Sequence, residues 1–158
     1  MINKIAMIEQ AYSFLSFDAH IAFELGMFYL DQAKKNNLPI VVDISSNELV
    51  YFHFANTGST PNNERFIQRK SNTVMRFYHS TWWVNHKVNQ DTNAMHEKYG
   101  TNDEDFSILY GGWPILVKGL GVFGSICISG LTQEQDNQLI MDGLNQYFNI
   151  DYRMDQIV

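Results

Sequence analysis

An α+β fold, an antiparallel sheet with helices laid against it, follows from three features of the sequence. Runs with the alternating, β-branched pattern of strands stand next to one another with only short polar turns between them, and hairpin connections make antiparallel neighbours. Two helices open on capping signals, Thr60-Pro61 and Thr132-Gln-Glu-Gln135. The order is helix, helix, strand, strand, helix, several strands, helix, which lacks the strict alternation of a parallel βαβ array.

Asn3–Leu15 reads as a modestly amphipathic helix. Phe17-Asp18 restarts the chain, with Asp18 as N-cap of a helix to about Asn36. In it Ala22, Leu25, Gly26, Tyr29 and Ala33 recur at helical spacing. Glycine inside a helix costs about 1 kcal/mol against alanine, so Gly26 predicts a closely packed neighbour. Pro39–Ser45 and Leu49–Ala55 read as a hairpin around Ser46-Asn-Glu48, with Tyr51 and His53 on one face and Val50, Phe52 and Phe54 on the other. A helix from Thr60-Pro61 runs to about His79. Trp82–Phe106 is mostly polar and irregular, with a short helix at Ala94–Tyr99. Phe106–Tyr110, Pro114–Val117 and Val122–Ser129 bring the sheet to about five strands, and the last helix runs to about Phe148. No repeat or proline-rich linker divides the chain, so residues 1–158 are read as a single domain.

Gly119-Leu-Gly-Val-Phe-Gly124 spells G-x-G-x-x-G, the dinucleotide fingerprint. That motif works only where the glycines follow a strand and open a helix whose N–H groups take the pyrophosphate. Here Ser125-Ile-Cys-Ile-Ser129 follows, a strand pattern, and the helix signal comes only at Thr132. The glycines instead predict a hairpin, Lys118–Gly121, between Ile115–Val117 and Val122–Ser129.

Hydrophobic residues make up 45% and charged residues 18% of the chain, a balance that supports a folded core over disorder. Net charge is −6, which argues against nucleic acid or an anionic membrane as partner. No apolar stretch is long enough to span a bilayer. Glu9 and Asp18 interrupt any signal-peptide core, and the single Cys127 excludes an internal disulfide and fits a reducing compartment. The expected location is cytoplasmic. Aromatics reach 14% and cluster in Tyr51–Phe54, Phe77–Trp83 and Tyr110–Trp113, as in an extended interface or a well-filled core. Trp82 and Trp83 are adjacent and must diverge, so one is expected to be covered by a symmetric partner or by the loop Asn85–Phe106.

The segment NNERFIQRKSNTVMRFYHSTWW holds the chemistry-bearing residues. Arg65, Arg69 and Arg76 share one side of the helix, while Phe66, Val74 and Phe77 form an apolar stripe that contains Lys70. A lysine there either snorkels, pairs with a buried acid, or receives an anionic ligand. With the arginines it could clamp a carboxylate or phosphate. The five histidines show no H-x-x-x-H or H-E-x-x-H spacing, so no zinc site is expected; a single histidine could still ligate iron or act as a base. Cys127 reads as an inert buried thiol. Ser125 and Ser129 form no nucleophile elbow. Asp136 in the first turn of the last helix is explained by capping and the helix dipole.

Three stretches, FDAHIAFELG, NNERFIQRKSNTVMRF and YGGWPILVKGLGVFGSICISGLTQEQD, together resemble the GlcG/HbpS-like haem-degrading domain superfamily, in its short single-domain branch. The resemblance covers Phe17 to Phe148 and weakens between Asn85 and Phe106. Its specific parts are Arg69-Lys70, Gly111-Gly112 with Pro114-Ile115, and Gly124 through Ser129-Gly130-Leu131 to Asp136. It implies a profilin-like three-layer sandwich with helices on both faces, a homo-oligomer of at least two chains, and haem or another anionic small molecule as ligand. The candidate ligand-binding set is Arg65, Arg69, Lys70, Gly111, Gly112, Pro114 and Asp136. Two positions depart from the family: Asn137 stands where a histidine is usual, and Phe66 where a tryptophan is expected. Catalytic haem degradation and a ligand-free assembly module are the alternatives. Binding is favoured because no acid–base or nucleophile constellation can be assembled.

Overall fold

Residues 1–157 are described by the computed structural model. They run as α1 (Ile2–Ala11), β1 (Ser13–Phe14), α2 (Ala19–Lys35), β2 (Val41–Ser46), β3 (Val50–Ala55), α3 (Pro61–Phe77), α4 (Thr81–Lys87), α5 (Thr92–Tyr99), β4 (Gly112–Val117), β5 (Gly121–Ser129) and α6 (Gln133–Phe148), ending in a 3₁₀ turn at Met154–Gln156. The five strands form one sheet in the order β1-β4-β5-β2-β3. Every neighbouring pair is antiparallel except β1 with β4.

Strand alternation decides what each face of the sheet receives. Val42, Ile44, Ile126, Ile128, Trp113 and Ile115 join Leu25, Tyr29, Ile140 and Leu144 in the main core, so α2 and α6 cover one face. Val41 and Cys127 meet Ile67, so α3 covers the other. The result is the α+β three-layer sandwich expected from the sequence. Gly26 lies where α2 crosses β3, and a Cβ there would fall 2.3 Å from the Phe52 ring, which is the predicted close neighbour.

The three helices with recognised caps form as read, with Asp18 capping α2 by accepting the Ile21 N–H at 3.0 Å. Thr60 and Asn63 complete a capping box on α3, and Thr132 and Gln135 one on α6. The glycine motif is the β4–β5 hairpin, with Gly119 at φ +80 and a strand where a nucleotide-binding helix would have to begin.

Three segments depart from the sequence reading. The first helix stops at Ala11 rather than Leu15. Tyr12 turns inward against Trp113 and Phe148, and Ser13–Phe14 pair with Leu116–Val117. Phe106–Tyr110 is not a strand. Its polar groups bond sideways to helices: the Thr73 hydroxyl donates to the Ser107 carbonyl at 2.8 Å, and the Asn85 amide to the Ile108 carbonyl at 3.0 Å. Trp82–Lys87 is helical, not irregular, because the Ser80 hydroxyl accepts the Trp83 N–H at 3.0 Å and caps α4. Trp82 enters the core, and Trp83 stacks on His79 with ring centroids 3.7 Å apart. Trp83, half-buried, also packs against the cluster of Val84, Met95 and Ile108, so the segment 85–106 supplies part of its cover.

Candidate functional site

The inward face of α3 carries Ile67, Lys70, Thr73 and Val74. The stripe is therefore centred on Ile67 and Val74, with Phe66 and Phe77 at its half-buried margins. Lys70 is 2% exposed, and an ammonium in that position needs partners. Its Nζ donates to the Ile128 carbonyl at 2.8 Å and to the Asp136 carboxylate at 3.2 Å. Asp136, equally buried, also accepts the Leu131 N–H at 3.0 Å. It is thus an ion-pair partner as well as a first-turn acid. Burial pulls the Lys70 amine down and pushes the Asp136 carboxyl up, while their mutual attraction opposes both shifts.

The two glycines of the candidate set lie against this pair. Gly111 has φ +110, and a Cβ there would stand 2.7 Å from Lys70 Nζ and 2.9 Å from Asp136 Cβ. A Cβ on Gly112 would lie 3.2 Å from the Lys70 carbonyl oxygen. Lys70, Gly111, Gly112 and Asp136 therefore come together, and the rest of the set does not. Arg65 is exposed on α3. Arg69 stacks over Phe66 at 4.7 Å and reaches the Phe106 carbonyl at 3.4 Å. Pro114 is buried in β4 opposite Ser125. Only a crevice of about 180 Å³ opens at the ion pair, with Phe66, Leu109 and Gly130 among its walls. That is below the 300–1,000 Å³ typical of small-molecule sites.

A cleft of about 570 Å³ falls within that range. Its walls are Met1, Trp82 and His86 of α4, Tyr110 on the segment before β4, Glu134, Gln135 and Gln138 of α6, and Arg153, Met154 and Asp155 of the C-terminal segment, where Arg153 lies 4.0 Å from the Asp155 carboxylate. Helix spacing places Trp82 and His86, four apart, on one side of α4. Trp82 packs against Trp113 and Tyr110 at centroid distances of 6.3 and 6.4 Å. The His86 ring lies over Tyr110, with Nε2 3.4 Å from the phenol oxygen.

Burial holds His86 below its ordinary pKa of 6.5, so the imidazole is neutral at pH 7 and one ring nitrogen keeps its lone pair. Burial likewise raises the Tyr110 phenol, which stays protonated beside Nε2. The cleft thus sets a neutral imidazole against an apolar aromatic wall, with the exposed Arg153 at its edge. Behind Met154, Asn137 is fully buried. Its Nδ2 lies 3.3 Å from Met154 Sδ, and its Oδ1 has no partner among the described residues.

The sequence reading missed this cleft because it left Trp82–Lys87 irregular. Ser80 as a cap, followed by Trp82 and His86 one turn apart, is the signal that would have found it.

A separate groove of about 440 Å³ contains His53. Its Nδ1 lies 2.8 Å from Asp43 and its Nε2 2.7 Å from Glu64. Only an imidazolium donates from both nitrogens at once. Burial lowers the pKa of His53, but the hydrogen bonds to Asp43 and Glu64 outweigh it and raise it above 6.5. Among the described residues, no three His, Cys, Asp or Glu side chains gather as metal ligands. No helix among them is long and apolar enough to cross a membrane.

Residues 17–145 match the model of a family described as haem degrading protein HbpS-like. A UPF0303 protein of Pseudomonas entomophila is 37% identical over 136 residues, covering 86% of this chain and 76% of that protein. One of Paraburkholderia phymatum is 34% identical over 151 residues, covering 96% and 92%. Among solved structures, that of Ybr137w superposes with a TM-score of 0.86 at 26% identity, covering 96% of this chain and 90% of that one. The complex of PduOC with haem shares the fold, with a TM-score of 0.64 at 17% identity and coverage of 83% and 93%.

Proposed function

The chain belongs to the HbpS-like family of haem-degrading proteins, and from that premise we propose that it is a small-ligand-binding domain whose ligand, haem or another anionic small molecule, occupies the 570 Å³ cleft. The carrying observation is the neutral His86 set against the apolar wall of Trp82 and Tyr110. The donor set fits haem: the aromatic wall takes a macrocycle, a ring nitrogen of His86 suits iron, and Arg153 suits a propionate. Haem when bound would supply an iron centre with redox chemistry. The protein's own residues orient the macrocycle, keep water from one face and hold His86 unprotonated. The haem in the PduOC complex, a protein of the same fold, supports the choice of ligand.

The domain acts as a homo-oligomer of at least two chains. Support comes from Leu15, Phe23, Leu49, Val50 and Leu120, each at least 60% exposed. Light scattering behind a sizing column tests this: a monomer at micromolar concentration would remove assembly from the proposal.

The ligand is tested by titrating ferric haem and following the Soret band, with and without a reductant. A stable shift is expected. Slow bleaching under reductant would favour haem degradation. No shift would overturn the ligand and leave an assembly module.

A further inference from the structure

The Lys70–Asp136 pair lines the small crevice, not the large cleft, yet both members touch what builds the cleft. We infer that this pair is the positioning element of the ligand cleft, fixing the Tyr110 wall and the α6 wall relative to each other. The inference rests on reading the cleft as the ligand site.

Each wall is held by a traceable contact. Tyr110 is followed by Gly111, where an added Cβ would stand 2.7 Å from the Lys70 ammonium, and the Gly111 carbonyl accepts the Ile128 N–H at 2.9 Å. The Ile128 carbonyl in turn accepts from Lys70 Nζ at 2.8 Å. The Tyr110 N–H donates to the Gln133 side chain at 3.2 Å, so the first turn of α6 grips this wall directly. That turn is set by Asp136, whose Oδ2 takes the ammonium and whose Oδ1 takes the Leu131 N–H. Glu134, Gln135 and Gln138, which flank Asp136 in sequence, face the cleft. With Asp136 turned inward and anchored at both oxygens, the rotation of α6 about its axis is fixed, and so is the direction in which those three side chains project.

The chemistry explains why an ion pair serves here. Lys70 reaches from α3 through the layer between helix and sheet with its apolar stem packed, and delivers a charge to one point. Removing either member leaves the other buried and uncompensated, and it must move toward water or change ionisation. Both escapes pull on Gly111 or on the first turn of α6. The role is positioning, because neither residue lines the cleft itself.

The test measures the cleft with and without ligand. His86 ring protons are titrated by NMR in wild type, in Asp136→Asn and in Val42→Ala, a core variant on a strand that lends the cleft no wall. Ferric haem is then titrated into all three. Asp136→Asn should move the His86 midpoint back toward 6.5 as the walls part, and weaken haem binding roughly 10- to 100-fold, as loss of a supporting shell does. Val42→Ala should do neither at temperatures where it is folded. Lys70→Met, which keeps the stem, carries the same expectation and substitutes if Asp136→Asn does not fold. A folded variant whose His86 titrates as in wild type overturns the inference, whether or not haem binds. Wild type that ignores haem while the His86 response is intact overturns the ligand and leaves the positioning role standing.

Discussion

Alanine at Gly111 and alanine at Gly119 pose the same backbone problem in different surroundings. Gly111 has φ +110 and Gly119 φ +80, conformations that cost an L side chain about 1–2 kcal/mol. At Gly119 no heavy atom lies within 4 Å of an added Cβ, so strain is the whole cost. At Gly111 the Cβ would meet the Ile128 carbonyl oxygen at 2.6 Å and Lys70 Nζ at 2.7 Å. The carbonyl is backbone of a central strand and cannot yield, and overpacking of this kind adds about 1–3 kcal/mol. Gly111→Ala should therefore cost about 3–4 kcal/mol and Gly119→Ala about 1.5 kcal/mol. At about 3 °C per kcal/mol for a chain of this size, melting should fall by about 10 °C and about 4–5 °C respectively. Thermal melts by circular dichroism measure both. Equal losses would show that the space around Gly111 is not filled, and the packing of that strand against the ion pair would be refuted.

Two further outcomes follow from groups outside the cleft. His53 binds its proton more tightly in the folded state than in the unfolded one, so its contribution to stability is fully present below pH 6.5 and is lost as pH rises through its raised folded value. Wild-type melting should fall across that window and His53→Gln should flatten the slope; His86, shifted the opposite way, acts below 6.5. A wild-type profile without that slope would contradict the bridging of Asp43 and Glu64. Cys127 is fully buried with its thiol pushed up to about 12, so a thiol reagent at pH 8 should label it only as fast as the chain unfolds. Labelling within seconds of mixing would place the thiol at the surface.

What was legible in the sequence was local. Caps at Asp18, Thr60 and Thr132, and the alternation through Ser125–Ser129, act within a few residues, and the structure places their elements close to where they were read. Lys70 within an apolar stripe left snorkelling, a buried acid and an anionic ligand open, and the structure takes the second with Asp136, which was a candidate for the ligand site. Their pairing joins residues 66 apart and depends on where α6 returns across the sheet. Phe106–Tyr110 misled because its apolar content imitates a strand while its hydrogen bonds are taken by α3 and α4. The short strand Ser13–Phe14 carries no signal of its own and exists because β4 supplies an edge. The cleft escaped notice for a similar reason: Trp82, Tyr110, Gln138 and Arg153 come from four distant segments.

The central claim is the location of the ligand, and a comparison of two variants tests it most directly. Ferric haem is titrated into His86→Ala, which empties the large cleft of its imidazole, and into Phe66→Ala, which opens the small crevice above Lys70. The cleft reading predicts that His86→Ala loses the wild-type Soret shift while Phe66→Ala retains it with unchanged affinity. Haem that still binds normally to His86→Ala but fails with Phe66→Ala would contradict the cleft and move the site to the basic pair of α3.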